Sequence, residues 1–163
     1  MRQGLVTDGT IATSEAQRMA LWLIRENPTD AFAQAGVVLR HDVSVPIKEV
    51  PALIEQGSDL FLEKIPGIRV VAFGHIGDGN IHFNFLQPEA MEGADFRAMK
   101  DDVQTAVFDL VESLGGSISA EHGIGRLKRD DLAARKPALD LDLMRRLKTA
   151  LDPHHILNPG AIL

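Results

Sequence analysis

The chain has no cysteine. Disulfides, thiolate metal sites and a cysteine nucleophile are therefore excluded, and a reducing compartment, with the cytoplasm as the setting, is the simple expectation. Net positive charge is also lacking: 17 Lys and Arg stand against 23 Asp and Glu, a formal charge of −6. Nucleic-acid binding needs a basic face, so no nucleic-acid partner is expected. Any site for an anion must be assembled from a few local cations. No apolar run reaches the roughly 18 residues of a membrane-spanning helix, and residues 1–10 carry no basic-then-apolar leader pattern. Internal repeats, low-complexity tracts and linkers are absent as well. What is present is ordinary for a soluble globular protein, with 45% hydrophobic and 25% charged residues over 163 positions. That length suffices for one domain with its own core.

Ser14 followed by Gln17 resembles a capping box. Ala20, Leu21, Leu23 and Ile24 then give a helix an apolar face, and Asn27-Pro28 stops it. Gly36 to Arg40 reads as a strand that ends near Val45-Pro46. Ile47, Val50, Leu53, Ile54, Leu60 and Phe61 recur at helical spacing, with Pro51 tolerable only in the first turn. Ile68 to Phe73 fits a buried strand. Asn80 to Phe85 alternates polar and apolar residues, as a strand with one covered face does. The intervening Gly77-Asp78-Gly79-Asn80 is turn chemistry. Phe96, Met99, Val103, Val107, Leu110, Val111 and Leu114 mark a helix over about 94–114, ended by Gly115-Gly116. A short strand at Ser117 to Ala120 and helices near 124–134 and 139–151 complete the chain. The order strand, helix, strand, strand, helix, strand predicts an α+β fold of ferredoxin-like, split βαβ type. Its antiparallel sheet carries helices on one face, with the C-terminal helices added.

The densest polar cluster is Gly74-His75-Ile76-Gly77-Asp78-Gly79-Asn80-Ile81-His82-Phe83-Asn84. Glycine and aspartate are what a hairpin turn needs, and a strand histidine is most often merely solvated or hydrogen-bonded. A hairpin here nevertheless brings His75 and His82 side by side, with His82 and Asn84 on the polar face. Glu121, near a strand end beside His122, offers a third donor. Two histidines and a carboxylate with an open position are the ligand set of a catalytic zinc-type site, which manganese, cobalt or ferrous iron also accept. Arg25 and Arg40 read singly as solvated charges. With Thr29 they make a clamp for a carboxylate, since guanidinium is a fixed bidentate fork. In the run Leu151 to Gly160 the prolines and glycine read as turns, and nothing in the residue types gives Asn158 or His154-His155 a task.

The segments 74–84, Ser119-Ala120-Glu121-His122-Gly123-Ile124-Gly125 and Leu151-Asp152-Pro153-His154-His155-Ile156-Leu157-Asn158-Pro159-Gly160 resemble three motifs of the FAD-linked oxidase C-terminal domain family. That family includes D-lactate dehydrogenases, the glycolate oxidase flavin subunit and D-2-hydroxyglutarate dehydrogenases. Leu21 to Glu26 and Arg40 to Pro46 match two more of its motifs, and the likeness runs over nearly the whole chain in order.

The resemblance implies a metal, commonly zinc, at His75, His82 and Glu121. It gives His122 the role of base for the substrate hydroxyl. Arg25, Thr29, Arg40 and Asn84 would lie around a small 2-hydroxy acid, and Asn158 near the flavin of FAD. The implied reaction passes a hydride to FAD and then electrons to an external acceptor.

Two departures stand out. Ala161 occupies the position of the family's usual lysine. The FAD-binding domain and the first half of the substrate domain that precede this region in relatives are also missing from the sequence. Residues 1–163 are thus expected to be a partial C-terminal substrate and metal domain, inactive alone and completed by an FAD-binding domain or subunit. A catalytically inactive metal-binding or subunit-interaction module, with homo-oligomer formation, is the alternative.

Overall fold

The structure, a computed structural model, describes residues 4, 7–27, 31, 32 and 34–163. Helix α1 (Glu15–Glu26) starts where expected: the Ser14 hydroxyl accepts the Gln17 N–H. The reciprocal half of the capping box is shifted by one residue, because Gln17 Oε1 accepts the N–H of Thr13. Its apolar face has no cover among the described residues, with Leu21, Trp22 and Leu23 about half exposed.

The sheet is built around β4 (Asn80–Leu86). Along one side runs β3 (Arg69–His75), antiparallel, pairing Arg69 with Leu86 and His75 with Asn80. Along the other run β1 (Val38–Leu39) and β2 (Asp42–Ser44), pairing Val38 with Leu86 and Ser44 with Asn80. The two short strands keep one register across their break, so the single strand expected over 36–45 is present but opened at Arg40-His41. The cause is local. Phe83 N–H still donates to His41 O, but the His41 N–H turns to Asn84 Oδ1, and the Phe83 carbonyl meets His41 Nδ1 instead.

At the outer edge the expected strand 117–120 is reduced to one antiparallel bridge, Ser44 to Ser117. Beyond it the backbone is diverted to side chains: Ala120 N–H goes to Asp42, and Ser117 Oγ closes a turn on Ser119. The spatial order of segment 117, β1/β2, β4, β3 is the split βαβ order, all antiparallel.

Helix α2 (Val50–Lys64) follows a short turn of 3-10 helix at Ile47–Glu49 and takes Pro51 in its first turn, where a missing N–H is harmless. The long helix expected over 94–114 is two helices, α3 (Gly93–Ala98) and α4 (Lys100–Ser113), jointed at Met99. The core lies between these helices and one face of the sheet: Val43, Ile81, Phe83 and Phe85 meet Leu53, Phe61, Val107 and Val111. At Gly57 helix and sheet come close, and a β-carbon would stand 2.5 Å from Phe83 Cζ. Only glycine fits there. Two further helices, α5 (Arg129–Arg135) and α6 (Ala138–Leu151), close the chain. The first begins later than the 124 expected from sequence, because residues 125–128 form turns ahead of it.

Candidate functional site

The polar face of the sheet opens into a cleft of about 1140 Å³. Its lining includes Arg40, His82, Asn84, Glu121 and His122 together with Phe32, Phe73 and Lys128. His82 comes from the middle of β4, held there by the alternation that sends Ile81 and Phe83 into the core. Glu121 and His122 arrive on the loop after the Ser117 bridge.

Glu121 is the hub. Its Oε1 lies 3.0 Å from His82 Nε2 and 3.8 Å from His122 Nε2, and its Oε2 lies 3.6 Å from His75 Nδ1. Asn80 steadies it by donating to Oε2 at 3.0 Å. The His82 and His122 rings stack with centroids 5.6 Å apart.

A compact set of donors, mutually within 4.8 Å, is formed by Asp42, His82, Glu121 and His122. His75 stands at the end of β3, half exposed, outside that set and outside the cleft lining. Asp42 carried no role in the sequence reading. Its signal was available: Arg40, Asp42 and Ser44 alternate with Val43 and Val45, the same period that placed His82 and Asn84. Asp42 is buried, and its Oδ2 accepts the N–H groups of Ala120 and His122 at 3.1 and 2.9 Å. Its Oδ1 is buried with no hydrogen-bond partner. Imidazole and carboxylate donors gathered this closely suit a divalent cation.

The candidate anion-binding residues are only partly gathered. Arg40 is exposed at the cleft wall. Asn84 is buried with Oδ1 taken by the His41 N–H, which leaves its amide N–H groups as the donors it can offer. Arg25 lies one residue back from the cleft, its guanidinium 5.6 Å from the ring of Phe73, which itself packs on His82 at 5.0 Å. Thr29 lies outside the described residues. Asn158 has a left-handed backbone, φ 45°, on a tail that returns to the cleft loop: Ile162 N–H donates to Gly125 O, and Arg126 to Pro159 O.

Two titratable groups went unnoticed in the sequence, half-buried Lys128 and buried His41. Lys128 Nζ donates to Asp42 O and Ile118 O at 3.2 and 2.7 Å, tying the loop to β2. Burial holds its ammonium below the usual lysine range, against the pull of Asp42 and Asp131. His41, edge-on to Phe85 and Phe108, is pushed down to about 4 by burial, and Lys128 and Lys100 add to the effect against the Phe83 hydrogen bond.

Fold and site together define a split βαβ domain whose sheet face presents a histidine–carboxylate cluster to an open cleft with arginine and amide donors at its wall. A family model described as FAD linked oxidases, C-terminal domain, matches residues 1–162, and the chain belongs to that family. It is 44% identical to a D-2-hydroxyglutarate dehydrogenase of Xanthomonas citri pv. viticola, covering 99% of this chain and 34% of that protein. It is 38% identical to one from Stutzerimonas stutzeri, covering 99% and 35%, and 40% identical to a mitochondrial one from Bos taurus, covering 98% and 28%. The chain thus spans about a third of the length of these relatives. No helix among the described residues is long and apolar enough to cross a membrane.

Proposed function

We propose that this chain supplies the substrate side of the active site of an FAD-linked oxidoreductase acting on a small 2-hydroxy acid, with the 2-hydroxyglutarate class first among candidates. The observation that carries the reading is the convergence of His82, Glu121 and His122 in a cleft that also holds Arg40 and Asn84. The names of the relatives support the substrate class.

His82 and Glu121, with His75 on the second Glu121 oxygen, would hold a divalent metal, zinc by preference. The metal would supply Lewis-acid polarisation of the substrate hydroxyl. FAD, bound mainly by polypeptide other than these residues, would supply the hydride acceptor, with an external acceptor taking the electrons onward.

The chain's own residues do the rest. Arg40, Asn84 and Arg25 of α1, together with Thr29, bind and orient the substrate carboxylates through charge-assisted hydrogen bonds. A second carboxylate gives both arginines a partner. His122, exposed beside Glu121 on the cleft side, takes the hydroxyl proton as general base. Asn158, on the tail pinned to Gly125, would contact the flavin ring when FAD is bound. The cytoplasm remains the proposed setting, although the names of the animal relatives state mitochondria.

The test is elemental analysis of the purified chain with its visible spectrum. One divalent metal per chain, lost in His82→Ala, is the expected result. Stoichiometric metal in that variant would remove His82 as a ligand.

A second reading is a metal-binding or subunit-interaction module without turnover. It is favoured by the leucines at 139, 143, 147 and 151, all exposed along one face of α6, which also suit association with a second copy. Adding substrate-domain and FAD-domain polypeptide separates the two: restored flavin reduction supports the enzyme, and persistent inactivity supports the module.

A further inference from the structure

The geometry points to Asp42 as the positioning residue of the cluster, the group that selects the metal-ligating tautomer of His82. This inference rests on the metal reading given above.

Asp42 divides its carboxylate between two tasks. Oδ2 is fully engaged, accepting the N–H groups of Ala120 and His122 and thereby clamping the segment that carries Glu121 and His122 against β2. Oδ1 has no hydrogen-bond partner although it is buried. It lies 3.6 Å from His82 Nδ1, and the Asp42 side chain is only 2% exposed, so water does not compete for it. Of the other ionisable neighbours, His122 Nδ1 lies 3.9 Å from Oδ2, on the occupied oxygen, and Lys128 Nζ bonds the Asp42 backbone carbonyl. Asp42 and His82 are also directly opposed across the β2–β4 pair, so the backbone fixes their separation.

A neutral imidazole carries one proton, on one of two nitrogens. His82 Nε2 faces Glu121 at 3.0 Å and is the atom that would ligate. Ligation there requires the proton on Nδ1, which places a donor opposite a buried acceptor that lacks one. Asp42 therefore stabilises the ligating tautomer and holds the ring, the part carboxylates play behind metal-bound histidines generally. Through the clamp on His122 the same side chain ties metal occupancy to the position of the residue read here as the base.

Asp42→Asn separates these roles. The amide oxygen can still accept the Ala120 and His122 N–H groups, while the NH2 turned toward His82 opposes an Nδ1–H and favours the wrong tautomer. Zn2+ titration of the purified chain against a chromophoric chelator should show affinity lower by about 10–100-fold in Asp42→Asn. The amide NMR signals of Ala120 and His122 should stay near their wild-type positions.

In the zinc-loaded wild type, 15N-detected imidazole spectra should show His82 protonated at Nδ1, with that proton protected from exchange. Unchanged zinc affinity in a folded Asp42→Asn variant, or a His82 ring ligated through Nδ1, would overturn the inference while leaving the metal site standing. A wild-type chain that takes up no zinc would overturn the metal reading and this inference with it.

Discussion

His41 sits where a strand should offer a backbone N–H, and its ring meets the Phe83 carbonyl instead. Burial among Phe85 and Phe108 keeps it neutral down to about pH 4. In the unfolded chain an ordinary imidazole titrates near pH 6.5, so the unfolded state binds the extra proton first as pH falls. Stability is therefore lost progressively between about pH 6.5 and 4, by up to roughly 3 kcal/mol at the lower end. His41→Gln keeps an amide donor but nothing to titrate, so urea unfolding across that range should show a flatter acid limb. An equally steep limb would assign the loss to other groups. At the cleft, His122→Ala should retain metal yet fail to reduce flavin in the completed enzyme, because neither His82 nor Glu121 loses its own donors. Unchanged single-turnover reduction would remove His122 as the base. His75, His82, Glu121 and His122 were legible because histidine and glutamate advertise metal and proton chemistry. For Asp42 the alternation gave its face of the strand but not its task, because an aspartate there looks like solvated charge until its burial is known.

Element α2 reaches the sheet through Gly57, and the phenyl ring of Phe83 occupies the space a side chain would need. Gly57→Ala gains helix propensity but forces ring and helix apart. The net expectation is a loss of about 1–3 kcal/mol, read as a lower urea midpoint. A raised midpoint would mean that the ring has room to turn.

The last helix is held at its end by Asp152, which is bonded to Lys148 and accepts the Ile156 and Leu157 N–H groups at 2.9 and 3.1 Å. The lysine, helped by those N–H groups, holds its carboxyl below the usual aspartate range. Asp152→Ala should speed amide hydrogen exchange at Ile156 and Leu157 and leave exchange in β4 unchanged. Equal protection at both residues would show that the prolines alone fix the tail. Element identities were read well from periodicity, whereas breaks were not. The openings at Arg40-His41 and Ser119-Ala120 arise from side chains of Asn84 and Asp42, one from the neighbouring strand and one distant in sequence.

For the whole molecule, a cation bound only by the folded state must stabilise it. Zinc at 100 times its dissociation constant adds about 2.7 kcal/mol. For a domain of this size that raises the melting temperature by roughly 5–11 °C. The rise should vanish in His82→Ala, and calorimetry with and without zinc reads it directly; an equal rise in that variant would place the cation elsewhere.

The sequence by itself determined the α+β class, the strand and helix order, the polar face of β4 and the family. Each of these rests on local periodicity or on contiguous motifs. Only the tertiary structure decided that Asp42 closes the cluster, that His75 stands apart from its compact core, that Asn84 offers only donors, and that α1 lies uncovered among the described residues. Those facts depend on which residues distant in the chain share a hydrogen bond or a wall of the cleft, and alternation gives the face of a strand but not the partners across it.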